Sequence, residues 1–133
     1  GEAARTTEDA ERYFKAYQQA IDAIGSAAAG RGPIEGPGIS IKLSALYPRY
    51  EVGRWSESVE ILSDRLLKLS AQAKHYNMGL TVDAEEADRL EISLDIIEKV
   101  LQEPSLKGWD GFGLAVQAYQ KRAPFLILFA PKN

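Results

Sequence analysis

From Thr7 to about Ala28 the apolar residues Ala10, Tyr13, Phe14, Tyr17, Ala20, Ile21 and Ile24 return at steps of three and four. That spacing lays one face of an α-helix against a core. Thr6 or Thr7 is a candidate N-cap, and Glu8 and Asp9 follow where acids favour the positive end of the helix dipole. Gly30, Gly32, Pro33, Gly36, Pro37 and Gly38 then break the pattern, and the β-branched run from Ile39 to Leu43 predicts a short buried strand. The arrangement repeats. Ser56 to Tyr76 carries Val59, Leu62, Leu66, Leu69 and Ala73 at helical spacing, and Gly79 to Asp83 predicts a second strand. Glu86 to Gln102 sets Leu90, Leu94, Ile97 and Leu101 on one face before Pro104 ends it, and Phe112 to Gln117 predicts a third.

Helices alternating with strands imply a parallel sheet, because parallel neighbours need a crossover of about a dozen residues or more and a helix supplies it. The fold class is therefore α/β. No Gly-x-Gly-x-x-Gly turn follows any strand, which favours a barrel over an open dinucleotide-binding sheet. The predicted architecture is a partial (β/α)8 TIM-like barrel of about three helix-strand units with parallel strands.

Composition narrows the function classes. The 133 residues, 45% hydrophobic and 26% charged, are enough for one core and contain no linker that would divide them. A formal charge of -3 without any local basic run disfavours nucleic acid as a partner. There is no cysteine, which removes disulfides and thiolate chemistry and fits a reducing compartment, with the cytoplasm as the expected location. The longest apolar run, Phe125 to Ala130, is far below the roughly 20 residues a spanning helix needs.

Each predicted strand ends on a polar residue: Lys42, Asp83 and Gln117. The carboxyl ends of parallel strands open onto the ligand site in such folds, so these three are expected to converge on one mouth. Glu2, forty residues before Lys42, reads as the tail of a preceding strand. Asp83 beside Lys42 would keep the ammonium charged against desolvation, and a charged Lys42 would hold a substrate carboxylate; the plainer alternative is mutual pairing at a rim. Gln117 is as well explained by capping a backbone group. Asp83, Glu85, Glu86 and Asp88 crowd four carboxylates into six residues. Such a cluster could bind a hard cation, but at the start of a helix capping is the favoured reading. His75, the only histidine, lies at a helix end without a Cys or His partner and reads as solvated. Trp55, Trp109, Tyr47, Tyr50 and Tyr119 lie in or beside loops and are expected to anchor them to the core.

Three long segments, Gly36-Pro-Gly-Ile-Ser-Ile-Lys-Leu-Ser-Ala-Leu, Asp83-Ala-Glu-Glu-Ala-Asp-Arg-Leu-Glu and Val116-Gln-Ala-Tyr-Gln-Lys-Arg, closely resemble the proline dehydrogenase domain of the bacterial bifunctional proline utilization A flavoenzymes. The resemblance runs from Gly1 to about Phe125. It implies a distorted barrel that binds FAD, oxidises L-proline to 1-pyrroline-5-carboxylate in proline catabolism and passes electrons to a membrane quinone, the whole protein being cytoplasmic or peripheral to the inner membrane. It further implies that Lys42 helps hold the proline carboxylate, that Asp83 orients this lysine near the flavin, and that Ala84 and Gln117 line the flavin ring. Glu2 matches a glutamate that pairs with a substrate-binding arginine. Two departures stand out: Tyr47 replaces a histidine common after Ser-Ala-Leu, and the tail from Leu126 is an apolar burst where relatives continue into an amphipathic helix.

A complete barrel takes roughly 250 residues, so the 133 here are expected to be a segment, 1–133, truncated at both ends. Such a segment is expected to bind FAD weakly or not at all and to be inactive alone. Two competing readings use the same residues. Lys42 could be a Schiff-base nucleophile of a barrel aldolase with Asp83 as proton shuttle, or the helices could form a non-enzymatic interaction module. The module leaves Lys, Asp and Gln at successive strand ends without a reason.

Overall fold

A computed structural model describes residues 3–28, 32–48, 55–85, 90–116 and 125–129. Helix α1 spans Thr7–Ala27. Its cap is Thr6, whose hydroxyl accepts from the Asp9 N–H at 3.0 Å while the Asp9 carboxylate accepts from the N–H groups of Thr6 and Arg5 at 3.2 and 3.1 Å. This reciprocal arrangement satisfies amides that the first helical turn leaves free. A single turn, α2 (Gly32–Glu35), leads into strand β1 (Gly38–Ile41), and a 3-10 turn over Leu43–Ala45 follows. Helix α3 (Trp55–His75), strand β2 (Gly79–Asp83), helix α4 (Leu90–Leu101), strand β3 (Phe112–Val116) and strand β4 (Phe125–Phe129) complete the order.

The sheet order is β1-β2-β3-β4. β1 and β2 are parallel, with Ile39 level with Leu80 and Ile41 with Val82; β2 and β3 are parallel, with Leu80 level with Phe112 and Val82 with Leu114. Because strand side chains alternate, the set Ile41, Leu80, Val82, Phe112 and Leu114 shares one face. All five are buried in one cluster with Phe14 and Ile21 of α1, Leu62, Leu66 and Leu69 of α3, and Ile92, Ile96 and Val100 of α4. The three long helices thus cover the same side of the sheet. A doubly wound sheet would carry helices on both faces, and its strand order would reverse at a switch point. Helices on one face and neighbours in sequence order are the barrel arrangement.

Two features depart from the sequence reading. In α4 the buried stripe is Ile92, Ile96, Ile97 and Val100, while Leu90 and Leu94 are 36% and 40% exposed. Seven of its twelve residues are apolar, so spacing alone leaves more than one candidate face. The second is the apolar tail, where Phe125–Phe129 pairs antiparallel with β3, Val116 opposite Phe125 and Phe112 opposite Phe129. Only residues 117–124 separate β3 from β4, a connection shorter than the dozen or so residues a parallel crossover needs.

The amino ends of the strands are closed by close packing around Gly111. A Cβ there would lie 2.6 Å from Trp109 Nε1 and 2.7 Å from the Met78 carbonyl oxygen, the two atoms joined by a buried 2.9 Å hydrogen bond. Trp109 is fully buried, edge-on to Phe112, so this loop aromatic anchors its loop to the core. Gly111→Ala is expected to displace the indole and destabilise the fold by about 2 to 3 kcal/mol, combining overpacking with a lost buried hydrogen bond; urea denaturation followed by tryptophan fluorescence measures it. The cap gives a second expectation. The N–H of Arg5, with smaller help from Arg12 and Thr6, holds the Asp9 carboxyl below its ordinary value of 3.8. Its contribution is therefore complete above that value and lost as pH falls through the lower folded value. Amide shifts in the first turn of α1 are expected to move in this acid window, and Asp9→Asn is expected to abolish the response.

Candidate functional site at the strand ends

Lys42 and Asp83 are the residues reached immediately after the paired Ile41 and Val82, so they stand beside each other at the carboxyl rim of adjacent parallel strands. Both are half-buried. By alternation they belong to the face opposite the helices, together with Gly38, Ser40, Gly79, Thr81 and Gly113. Below the rim, β1, β2 and β3 therefore carry on that face no side chain larger than threonine, whereas their helix face is filled by isoleucine, leucine, valine and phenylalanine. Ala84, half-buried, follows Asp83. Glu2 and Gln117 lie outside the described residues, as do Glu86, Asp88, Tyr50 and Tyr119 and the side chain of Trp55.

The chain after β1 is tied down from three directions. The Lys42 N–H donates to the Tyr17 hydroxyl of α1 at 3.1 Å. Two residues on, the Ser44 N–H donates to Glu85 Oε2 at 3.0 Å and the Ser44 hydroxyl donates to Glu85 Oε1. The Ser44 carbonyl in turn accepts from the Ala4 N–H at 2.9 Å. Segments before α1, within α1 and after β2 thus meet on the three-residue stretch from Lys42 to Ser44. The carboxylate of Glu85 joins the loop after β2 to the loop after β1, and two donors on one acid make a charge-assisted grip stronger than a neutral pair.

Glu85 was legible in sequence only as one member of an acidic cluster. Its role as a loop tie depends on Ser44, 41 residues away, and no local pattern signals that partner. Among the described residues no group of three or more acidic, histidine or cysteine side chains could hold a metal ion. His75 ends α3 exposed, its ring edge-on to Tyr76. Tyr47 is buried in the core cluster, which agrees with an anchoring role. Away from the strand ends, a groove of about 550 Å3 between α3 and α4 mixes Glu60, Asp64 and Glu103 with Arg65 and Lys99.

Replacing Glu85 by alanine strands the nearly buried Ser44 N–H and hydroxyl together. The expected cost is about 1 to 3 kcal/mol, read locally as amide exchange at Ser44 faster by about tenfold or more. Exchange at Ser44 unchanged by Glu85→Ala contradicts the tie.

Comparison with known proteins identifies the lineage of this arrangement. The family model described as proline dehydrogenase matches residues 1–130. The chain is 58% identical over 127 residues to the bifunctional protein PutA of Klebsiella aerogenes, covering 96% of this chain and 10% of that protein. It is 51% identical over 124 residues to the bifunctional protein PutA of Rhizobium meliloti, covering 93% and 10%. Among solved structures, a Bradyrhizobium japonicum proline utilization A variant superposes with a TM-score of 0.86 at 58% identity, over 92% of this chain and 13% of that one. Proline utilization A from Bdellovibrio bacteriovorus, inactivated by N-propargylglycine, gives 0.78 at 25% identity, over 91% and 14%. The chain spans about a tenth of the length of the curated relatives it matches. On the match across nearly its whole length, this chain belongs to the proline dehydrogenase family.

Proposed function

We propose that this chain is part of a flavin-dependent proline dehydrogenase, in which it supplies one wall of the site where L-proline is oxidised to 1-pyrroline-5-carboxylate. The observation that carries the proposal is the register: Ile41 level with Val82 brings Lys42 next to Asp83 at the rim of two parallel strands. Lys42 holds the carboxylate of the amino acid by a charge-assisted hydrogen bond, and Asp83 limits the directions its ammonium can take. A lysine is well suited to this task, being a compact charge on a flexible stem. The compound that inactivates the Bdellovibrio relative, N-propargylglycine, is itself an amino acid with a carboxylate beside a secondary amine.

The small residues on the site face fit a flat ring. On β1, β2 and β3, Ser40, Thr81 and Gly113 leave a shallow floor beneath Asp83 and Ala84, which a flavin could lie across, while the Pro33 carbonyl covers Gly79 at the amino end. Ala84 and Gln117 are assigned to the flavin's surroundings. Held beside Asp83, Ala84 and Gln117, a flavin would supply the two-electron oxidant for the ring carbon next to the substrate amine. What the chain itself contributes is orientation, a clamp on the carboxylate and exclusion of water. Glu2 is assigned to an ion pair with an arginine beyond this chain that closes over the substrate, and a quinone at a membrane surface is the proposed electron acceptor. Among the described residues no helix is long and apolar enough to cross a membrane. Schiff-base chemistry at Lys42 loses its support once the chain is placed in a dehydrogenase family.

The test sets residues 1–116 in place of the matching segment of the Klebsiella aerogenes relative and measures flavin absorbance and proline-dependent dye reduction. Retention of both is expected. Lys42→Met is then expected to raise KM for proline by about tenfold or more, with bound flavin unchanged, as for loss of a hydrogen bond to a charged group. A folded hybrid that binds flavin but does not oxidise proline would overturn the assignment.

A further inference from the structure

We propose that Tyr17 is a positioning residue for Lys42: from α1, its hydroxyl fixes the lysine backbone where β1 ends, and so sets the reach of the lysine side chain toward the substrate carboxylate. This rests on the reading of Lys42 given above. β1 is paired with β2 only as far as Ile41, and the N–H of Lys42 is taken by Tyr17 at 3.1 Å, across 25 residues of sequence. Lys42 keeps extended geometry, φ -104° and ψ 124°, yet the chain turns into a 3-10 turn at the next residue. Lys42 therefore sits at a hinge between two backbone conformations, with a long side chain that magnifies any rotation of its Cα.

Tyr17 is suited to hold such a point. Its ring packs against the core beside the α1 residues Phe14 and Ile21, which lie three positions before it and four after it on the same helical face. An aromatic body seated in the core with a hydroxyl at its far end combines low conformational freedom with one directed polar group. Helix α1 thus becomes a strut: its capped amino end adjoins the Ala4 to Ser44 contact, and its middle meets Lys42. The polar tie at Ser44 from Glu85 fixes the same stretch from the other side, leaving Lys42 between two anchors.

The alternative is that the hydroxyl merely satisfies a half-buried amide, and coupling to Lys42 separates the two. In the flavin-loaded hybrid, Tyr17→Phe keeps the ring and removes the acceptor. KM for proline is expected to rise by about three- to tenfold, with bound flavin unchanged and kcat changed less than about twofold. The inhibition constant of a saturated five-membered-ring carboxylic acid that cannot be oxidised is expected to rise in parallel. In a Lys42→Met background the same substitution is expected to change KM by less than about twofold, because the group it positions is gone. An unchanged KM, equal effects in both backgrounds, or loss of flavin from the Tyr17→Phe protein each overturns the positioning role. Failure of the unsubstituted hybrid to oxidise proline instead removes the reading of Lys42 on which it stands, and shows itself before any substitution is made.

Discussion

The parallel register of β1, β2 and β3 is the constraint on which everything else depends. Strand side chains alternate with a period of two, so a slip of one residue between β1 and β2 would carry Lys42 out of line with Asp83 and push Ile41 off the helix face. The register is held from the apolar side. Ile41, Leu80, Val82, Phe112 and Leu114 all sit in the core beneath the helices, and burying each of them contributes about 1.5 to 3 kcal/mol. A polar rim contributes far less, since an exposed or half-exposed ion pair stabilises by about 1 kcal/mol at most. The geometry of the site is therefore dictated by packing on the opposite face of the same strands, and the polar residues inherit their positions from it.

Register fixes where a strand ends and leaves open what the chain does next. Ordering a loop residue costs about 1 to 2 kcal/mol of backbone entropy, so the turn after β1 would drift without local restraint. The hydrogen bonds to Tyr17, Glu85 and Ala4 come from three separate segments, and no two of them restrain the same backbone group. Together they convert the end of a strand into a fixed platform. Under the role proposed for Lys42 such a platform matters, because a lysine stem has four rotatable bonds and leaves its charge free to move.

How much of this could be read beforehand follows from the range of each signal. The helices and parallel strands were legible because periodicity and glycine or proline breaks are local, and β2 spans Gly79–Asp83 as the apolar run indicated. That Lys42 follows a strand adjoining the one that ends at Asp83 was legible at the level of topology, since consecutive parallel strands place their carboxyl ends together. The buried stripe of α4 was not, because Leu90, Ile92, Leu94, Ile96 and Ile97 make an apolar surface too broad for spacing to choose a face. The fate of the tail was equally hidden, for Phe125–Phe129 is apolar throughout and shows no alternation that would tell strand from helix. Tyr17 counted as one more core position; its hydroxyl acquires meaning only when α1 lies across the end of β1. Glu85 and Ser44 become partners only through the fold.

Residue size differs between the two faces of the sheet, and the difference bears on what fills the site. A barrel that is only a scaffold fills its interior with layers of bulky branched side chains from alternate strands. In β1, β2 and β3 the bulky set points at the helices, and the other face of these three strands bears Gly38, Ser40, Gly79, Thr81 and Gly113. Protein interiors are close-packed, so the volume those small residues leave above the sheet must be taken by something other than their own side chains. In a barrel closed around this face, part of that volume falls to the remaining strands. The part nearest the rim, beneath Lys42, Asp83 and Ala84, is bordered by a cation and an anion that packed hydrocarbon would desolvate at a cost of several kcal/mol each. A polar, planar ligand with its own hydrogen-bonding edge, such as the flavin proposed above, would occupy that level without this penalty.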